Sequence, residues 1–315
     1  MKNFFENTSL IGQTAAKNRL NFYLNGYSNS KVFPNMIFVA PKGIGKTHFA
    51  THVGKLLSTI CGETKHFLCI NSSSIKNFNR FAEDIYFNYI NDKHVTLFFD
   101  EIHECNEKII TAFLSILNPT SINRNVYQHE DSILEFNFKK FTFMAATTER
   151  HKVFPPLLDR LTEINLEDYT EDEIAKIIEQ NLPQDMIATK DALTLLSHYC
   201  RNTARQAAKL GGKEGISNFL ACKQKKIFTL SDAKELIEIL GLYPNGLTVL
   251  EINALKLIKD KDNVSSTYLS NNMGLSRESY QNIEGFLMKH HLISIENCKR
   301  SITDKGKKYL KNINK

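Results

Sequence analysis

The sequence has no apolar run long enough to cross a bilayer, no C-x-x-C pair, no low-complexity stretch and no internal repeat. Lacking the first, it predicts no membrane-spanning helix and no membrane partner. Met1–Ser9 is short and polar where a secretory leader needs an apolar segment, so the expectation is a soluble, cytoplasmic protein. The six cysteines (Cys61, Cys69, Cys105, Cys200, Cys222 and Cys298) are scattered and have no His at ligand spacing. They read as free thiols in a reducing compartment rather than as a disulfide framework or zinc site. Excess charge is also scarce, at a net +6. It is unevenly placed: residues 245–315 hold twelve Lys/Arg against seven Asp/Glu, a balance of +5, which leaves +1 for all the rest. A basic C-terminal module suits nucleic-acid phosphates.

What is present is ordinary globular material, 42% hydrophobic and 23% charged over 315 residues, enough for two or three domains. Residues 14–26 carry apolar positions at helical spacing. They are followed by the apolar run 36–40, a glycine-containing loop and a helix over 47–57. Further strands are expected at 66–73, 95–101 and 141–148, with helices near 79–90 and 107–117 between them. Short apolar runs alternating with helices predict a mostly parallel sheet with helices on both faces. The alternation in 133–138 predicts a hairpin projecting from this domain within 121–140.

After about Asn165 the strands stop. Helices at 170–182, 189–200, 203–221 and 231–240 predict a small all-α domain, and Pro244-Asn245-Gly246 marks a turn. Helices at 249–259, 265–272 and 276–290, followed by a hairpin over 292–303, have the order of a winged helix. The expected domains are therefore 1–165, 166–244 and 245–315.

The chemistry begins at Ala40-Pro41-Lys42-Gly43-Ile44-Gly45-Lys46-Thr47, a phosphate-binding loop between strand and helix. Its backbone N–H groups and the helix N-terminus meet phosphate, Lys46 reaches the β- and γ-phosphates of ATP, and the Thr47 hydroxyl ligates Mg²⁺. Ala40 stands where the pattern has its first glycine, which requires a negative φ there. Asp100 and Glu101 end an apolar strand about fifty residues later. Asp100 is the second metal ligand and Glu101 the carboxylate that polarises the attacking water. Thr147 and Thr148 end the next strand, and Thr148 is preferred as the hydroxyl facing the γ-phosphate. Arg160, twelve residues beyond, is placed to serve a neighbour's site rather than its own. Arg205 opens a helix capped by Asn202 or Thr203 and can reach back to the nucleotide.

Together these residues resemble the AAA+ ATPases, and in detail the RuvB family of branch-migration motors, nearly end to end. Ile11-Gly12-Gln13 resembles the family's box beside the adenine, and Asp100-Glu101-Ile102-His103 its Walker B box. Phe141–Arg160 resembles its sensor-1 strand and arginine-finger segment, Tyr169-Thr170 the start of the lid, and Arg201–Leu210 the sensor-2 helix. The resemblance implies an AAA+ P-loop domain, a helical lid and a winged helix, with Ile11, Gly43, Gly45, Lys46, Thr47, His48, Tyr169 and Arg205 around the nucleotide. It implies a hexameric ring on duplex or four-way-junction DNA, with Arg300 of the wing on the backbone; Lys299 beside it is read as a DNA contact from the charge of the hairpin. It also implies a RuvA-type partner gripped by an apolar hairpin at about 121–138, a segment that here holds Asn123, Arg124, Asn125, His129, Glu130 and Asp131. Glu149 stands where the family has a basic residue. Two alternatives remain open: a clamp-loader or helicase-loader switch, whose last domain would be a helical collar, and a winged-helix regulator with a vestigial ATPase.

Overall fold

The computed structural model describes residues 2–6, 8–120, 122–201 and 203–313. The chain forms two compact units. One holds residues up to Ile177 together with Thr203–Ala208; the other runs from Ile178 up to that insertion and from Lys209 onward.

In the first unit, α1 (Thr14–Ser30), β1 (Met36–Val39), α2 (Lys46–Cys61), β2 (His66–Asn71), the short α3 (Phe78–Arg80), β3 (Val95–Asp100) and α4 (Glu107–Ile116) follow in order. The hairpin β4 (Arg124–His129) and β5 (Ser132–Asn137) comes next. Then come β6 (Phe141–Thr147), α5 (Pro155–Leu158), β7 (Thr162–Asn165) and the start of α6 (Glu171–Gln180). The five-stranded sheet has the order β2-β3-β6-β1-β7, all parallel. β3 is buried up to its last residue and β6 throughout, as continuous apolar runs covered on both faces should be. A parallel sheet gathers the C-terminal ends of its strands on one edge. Val39, Asp100 and Thr147 therefore share an edge, and the loops that follow these strands start from it.

Several expectations need correction. β7 is a fifth strand that the sequence reading missed. The helix read near 79–90 is a wider coil over Phe81–Ile90, closed by Asn91 N donating to Tyr86 O. The hairpin does not simply project: Leu134, Phe136 and Phe138 join the core, and Tyr127 and His129 pack tilted and edge-on against Phe78. Its outer face exposes Ile122, Val126 and Ile133, so it is less polar than its composition suggests.

In the second unit the expected all-α region contains α7 (Lys190–Ser197), the end of α8 (Ala204–Gly211), α9 (Ile216–Lys223) and α10 (Leu230–Leu240). It also has a two-residue parallel pair, β8 (Ile187–Ala188) with β9 (Ile227–Phe228). The single helix expected over 203–221 breaks between α8 and α9. There Gly215 comes so close to the Leu210 carbonyl that a Cβ would lie 2.2 Å from it.

The winged helix comprises α11 (Val249–Lys261), β10 (Val264–Ser265), α12 (Ser266–Asn272), α13 (Arg277–Lys289), β11 (Ile293–Glu296) and β12 (Lys299–Ile302). Thr248 and Glu251 form a capping box on α11, and the Ser276 side chain caps α13. A final helix, α14 (Asp304–Ile313), follows the wing. It buries Gly306, Tyr309 and Leu310 and leaves Lys305, Lys307, Lys308 and Lys311 exposed. Among the described residues no helix is long and apolar enough to cross a membrane.

Candidate active site

β1 delivers the chain into the loop Ala40–Gly45, and α2 begins at Lys46. Gly43 and Gly45 have φ of 89° and 111°, where side-chain-bearing residues are strained. Ala40 is not among the positive-φ residues; its N donates to Thr147 O at 3.3 Å, so alanine is accommodated without strain. α2 has no side-chain cap and no acidic residue in its first turn, which leaves its N–H groups and positive dipole end for an anion.

Lys46 is buried, and its Nζ donates to Ala40 O at 2.9 Å and Pro41 O at 3.4 Å, with Glu101 Oε1 3.7 Å away. Burial lowers its pKa, Glu101 and Asp100 raise it, and the nearby Arg205 lowers it again. Two cations thus sit within electrostatic reach of each other where a polyphosphate would separate and satisfy them. Thr47 Oγ1 donates to Asp100 Oδ2 at 3.0 Å, bringing together two oxygen donors of the kind a hard cation takes.

Glu101 adopts φ 52°, ψ 58°, a left-handed conformation costing about 1–2 kcal/mol for a side-chain-bearing residue. Its Oε2 accepts from both Thr148 N (2.8 Å) and Thr148 Oγ1 (2.9 Å). Thr148 therefore meets the carboxylate, while the buried Thr147 faces His103 Nδ1 at 2.9 Å. His103 Nε2 lies 3.2 Å from Glu149, and Glu149 also pairs with Lys152. Nδ1 also lies 3.4 Å from Glu101 Oε2, and Thr147 Oγ1 accepts from Glu149 N at 3.0 Å, so the imidazole bridges the two strand ends. His103 and Glu149 were not read as site residues. The signal was a His two positions after Glu101, with a carboxylate opposite it on the next strand's exit.

On the other side of the loop, Tyr169 is buried and its hydroxyl donates to Ile44 O at 2.9 Å. Burial raises its pKa to about 12, so it remains a donor. Gln13 makes a two-point clamp on Glu167, Nε2 to O at 2.6 Å and Oε1 from N at 2.8 Å, which fixes the Ile11–Gln13 loop beside this segment. Ile11 is half-buried and His48 exposed. Arg205 N donates to Gly43 O at 3.1 Å, and a Cβ on Gly43 would sit 3.5 Å from Arg205 Cβ. Of its two candidate caps, Thr203 packs at the same spot and Asn202 lies outside the described residues.

Lys46, Thr47, Asp100, Glu101, Thr148, Tyr169 and Arg205 thus converge, and Arg160 does not. It lies two residues before β7, which begins opposite Met36, whereas the phosphate loop leaves from the other end of β1. Its guanidinium donates to Leu114 O at 2.9 Å and Pro156 O at 2.7 Å. In the winged helix, Lys299 is exposed where β12 begins, after the positive-φ turn Asn297-Cys298. Arg300 is engaged: Nε and Nη2 fork onto Glu284 at 2.5 and 3.0 Å, and Nη1 donates to Cys298 O. This pairing raises its pKa still further.

The model of the Holliday junction DNA helicase RuvB P-loop domain matches residues 5–166, and that of the RuvB C-terminal winged helix domain matches residues 244–311. The chain belongs to the RuvB family. The Holliday junction branch migration complex subunit RuvB of Mycoplasmopsis pulmonis is 27% identical over 320 residues, which cover 99% of this chain and 97% of that protein. The corresponding RuvB subunit of Ehrlichia canis is 28% identical over 313 residues, covering 96% and 90%. The fold agrees with the Thermotoga maritima RuvB Holliday junction branch migration motor at a TM-score of 0.77 and 21% identity, covering 96% of this chain and 95% of that one. As a RuvB-family P-loop protein, the chain binds nucleotide and is an ATP hydrolase.

Proposed function

We propose that this RuvB-family chain is an ATP-driven motor that moves duplex DNA through a four-way junction as a homo-oligomeric ring, most simply a hexamer. The observation that carries the oligomer is the separation of Arg160 from its own phosphate loop by the length of β1, while the other groups cluster at that loop. Arg160 is held only by two carbonyls, so it can be redirected to a neighbour's γ-phosphate, where a delocalised cation stabilises phosphoryl transfer.

Within one site, Lys46 exchanges the Ala40 and Pro41 carbonyls for β- and γ-phosphate oxygens. Thr47 and Asp100 are the residues suited to hold Mg²⁺, which neutralises charge on those phosphates when bound. Glu101 polarises the attacking water, Thr148 fixes its carboxylate, and Arg205 contacts the γ-phosphate from the sensor helix. Lys299 meets DNA phosphate without reading bases. The domains act as 1–165, 166–244 and 245–315, although Tyr169 and Thr203–Ala208 pack with the first. The exposed Ile122, Val126 and Ile133 of the hairpin suit an apolar RuvA-type partner. A winged helix in place of a helical collar favours the motor over a loader.

Electron microscopy with an ATP analogue and four-way DNA tests this reading. Closed rings on the duplex arms support it; open arcs of subunits, or single chains on DNA, refute it.

A further inference from the structure

Four residues before Arg205 stands a second arginine to which the nucleotide chemistry gives no task. Arg201 belongs to the second unit, where Nε donates to Gly246 O at 2.9 Å and Nη2 pairs with Glu251 Oε1. Its guanidinium lies 4.1 Å from the centre of the Phe286 ring. One side chain thus grips the turn before the winged helix, the first turn of α11 and the body of α13.

The grip is built on both sides. Glu251 is 2% exposed and uses its other oxygen to accept from Thr248 N (2.7 Å) and Thr248 Oγ1 (3.0 Å), so both oxygens are committed. Gly246 has φ 66°, and a Cβ there would fall 2.7–2.9 Å from atoms of Arg201 and Cys200, so only glycine admits the approach. Asn245 N donates to His198 O and Tyr309 OH to Pro244 O, both at 2.7 Å, adding bonds along the same seam. A planar fork that stacks and chelates at once is work that lysine cannot copy.

The chain then passes from this anchorage to Thr203–Ala208, which packs on the phosphate loop. We infer that Arg201 is a positioning residue: it fixes the segment that leads into the sensor helix on the winged helix, so that the state of the DNA-facing module sets how Arg205 meets the nucleotide. This rests on the motor reading above, and it adds the route by which DNA reaches the ATPase.

The test uses the full-length protein and compares ATPase with and without duplex for the unaltered chain, Arg201→Lys and Phe286→Leu. Both substitutions leave Glu251 and its cap in place. The expected result is a loss of duplex stimulation of at least about fivefold, the lower range of an allosteric coupling. Basal kcat, duplex Kd and thermal midpoint should stay close to those of the unaltered chain. Phe286→Leu added to Arg201→Lys should cost little more, since both break one grip. Undiminished stimulation in both variants, or basal and stimulated rates falling in equal proportion, overturns the inference. An unaltered protein whose ATPase ignores duplex overturns the motor reading, and the inference with it.

Discussion

The cations singled out in the two units are held in opposite ways. In the P-loop unit, Lys46 and Arg160 rest on backbone carbonyls, and the carboxylate nearest Lys46 stands 3.7 Å away. In the second unit, Arg201 and Arg300 are closed by the carboxylates of Glu251 and Glu284. A carbonyl is a neutral acceptor that an incoming phosphate displaces readily, whereas a charge-assisted fork is about twice as strong as a neutral bond. The first arrangement waits for an anion; the second has already found one and serves as structure. On the proposed function, this criterion gives the DNA contacts of the winged helix to exposed lysines such as Lys299, with Arg300 joining only if Glu284 releases it.

The largest expected effect tests whether a carbonyl-held arginine is truly transferable. Arg160→Ala should lower kcat by about 10³-fold or more, the range of an arginine finger. Mixing it with equally inactive Lys46→Ala subunits should restore part of the hydrolysis; a mixture as dead as its components would return Arg160 to a local structural role. Next, Glu101→Gln should cut kcat by about 10²–10⁴-fold while nucleotide still binds, as expected for loss of a general base. Retained turnover would move the base elsewhere.

Smaller, but aimed at the contrast itself, is Glu284→Gln. Freeing Arg300 should steepen the dependence of log Kd on log salt by about 0.9, one added phosphate contact, and Lys299→Glu should flatten it by a similar amount. An unchanged slope in the first variant would show that Arg300 does not face DNA even when released. The smallest effect concerns a cation held by neither kind of partner. Lys65 is buried with Nζ donating to the Thr142 hydroxyl at 2.6 Å, and burial lowers its pKa to about 8 from 10.5. The unfolded chain then binds the extra proton between those values, so stability rises with pH across pH 8–10.5. Relative to Lys65→Met, the unfolding free energy should climb by at most about 1.4 kcal/mol per pH unit there, measured by denaturant titration. A flat difference would place Lys65 in contact with water.

The phosphate loop and the Asp100–Glu101 strand end were legible in the sequence because their chemistry demands particular residues at particular places, on apolar strands that cannot be anything else. The winged helix was legible from its element order. Helix α14 was not read, yet its signal was there: Gly306, Tyr309, Leu310 and Ile313 fall on one helical face, masked by four lysines. β7 and the β8–β9 pair are too short for periodicity to register, and the wide coil at Phe81–Ile90 depends on packing rather than composition. Arg300 shows the deeper limit. Its residue type and position both suggested phosphate, and only the fold reveals that Glu284, sixteen residues earlier, reaches it first.

If Arg160 serves a neighbour's site, as proposed, its placement also constrains how subunits assemble. With the receiving loop at one end of β1 and the donated arginine at the other, each subunit presents two unlike faces. A pair related by a two-fold axis would have to bring both ends of β1 into one shared patch, because there residue i of one copy meets j of the other and j meets i. On the proposed reading, the simpler arrangement is head to tail, a contact that closes into a ring or runs on as a helical filament. Such a row has a front and a back, so the order in which sites fire can be directional before any DNA is bound.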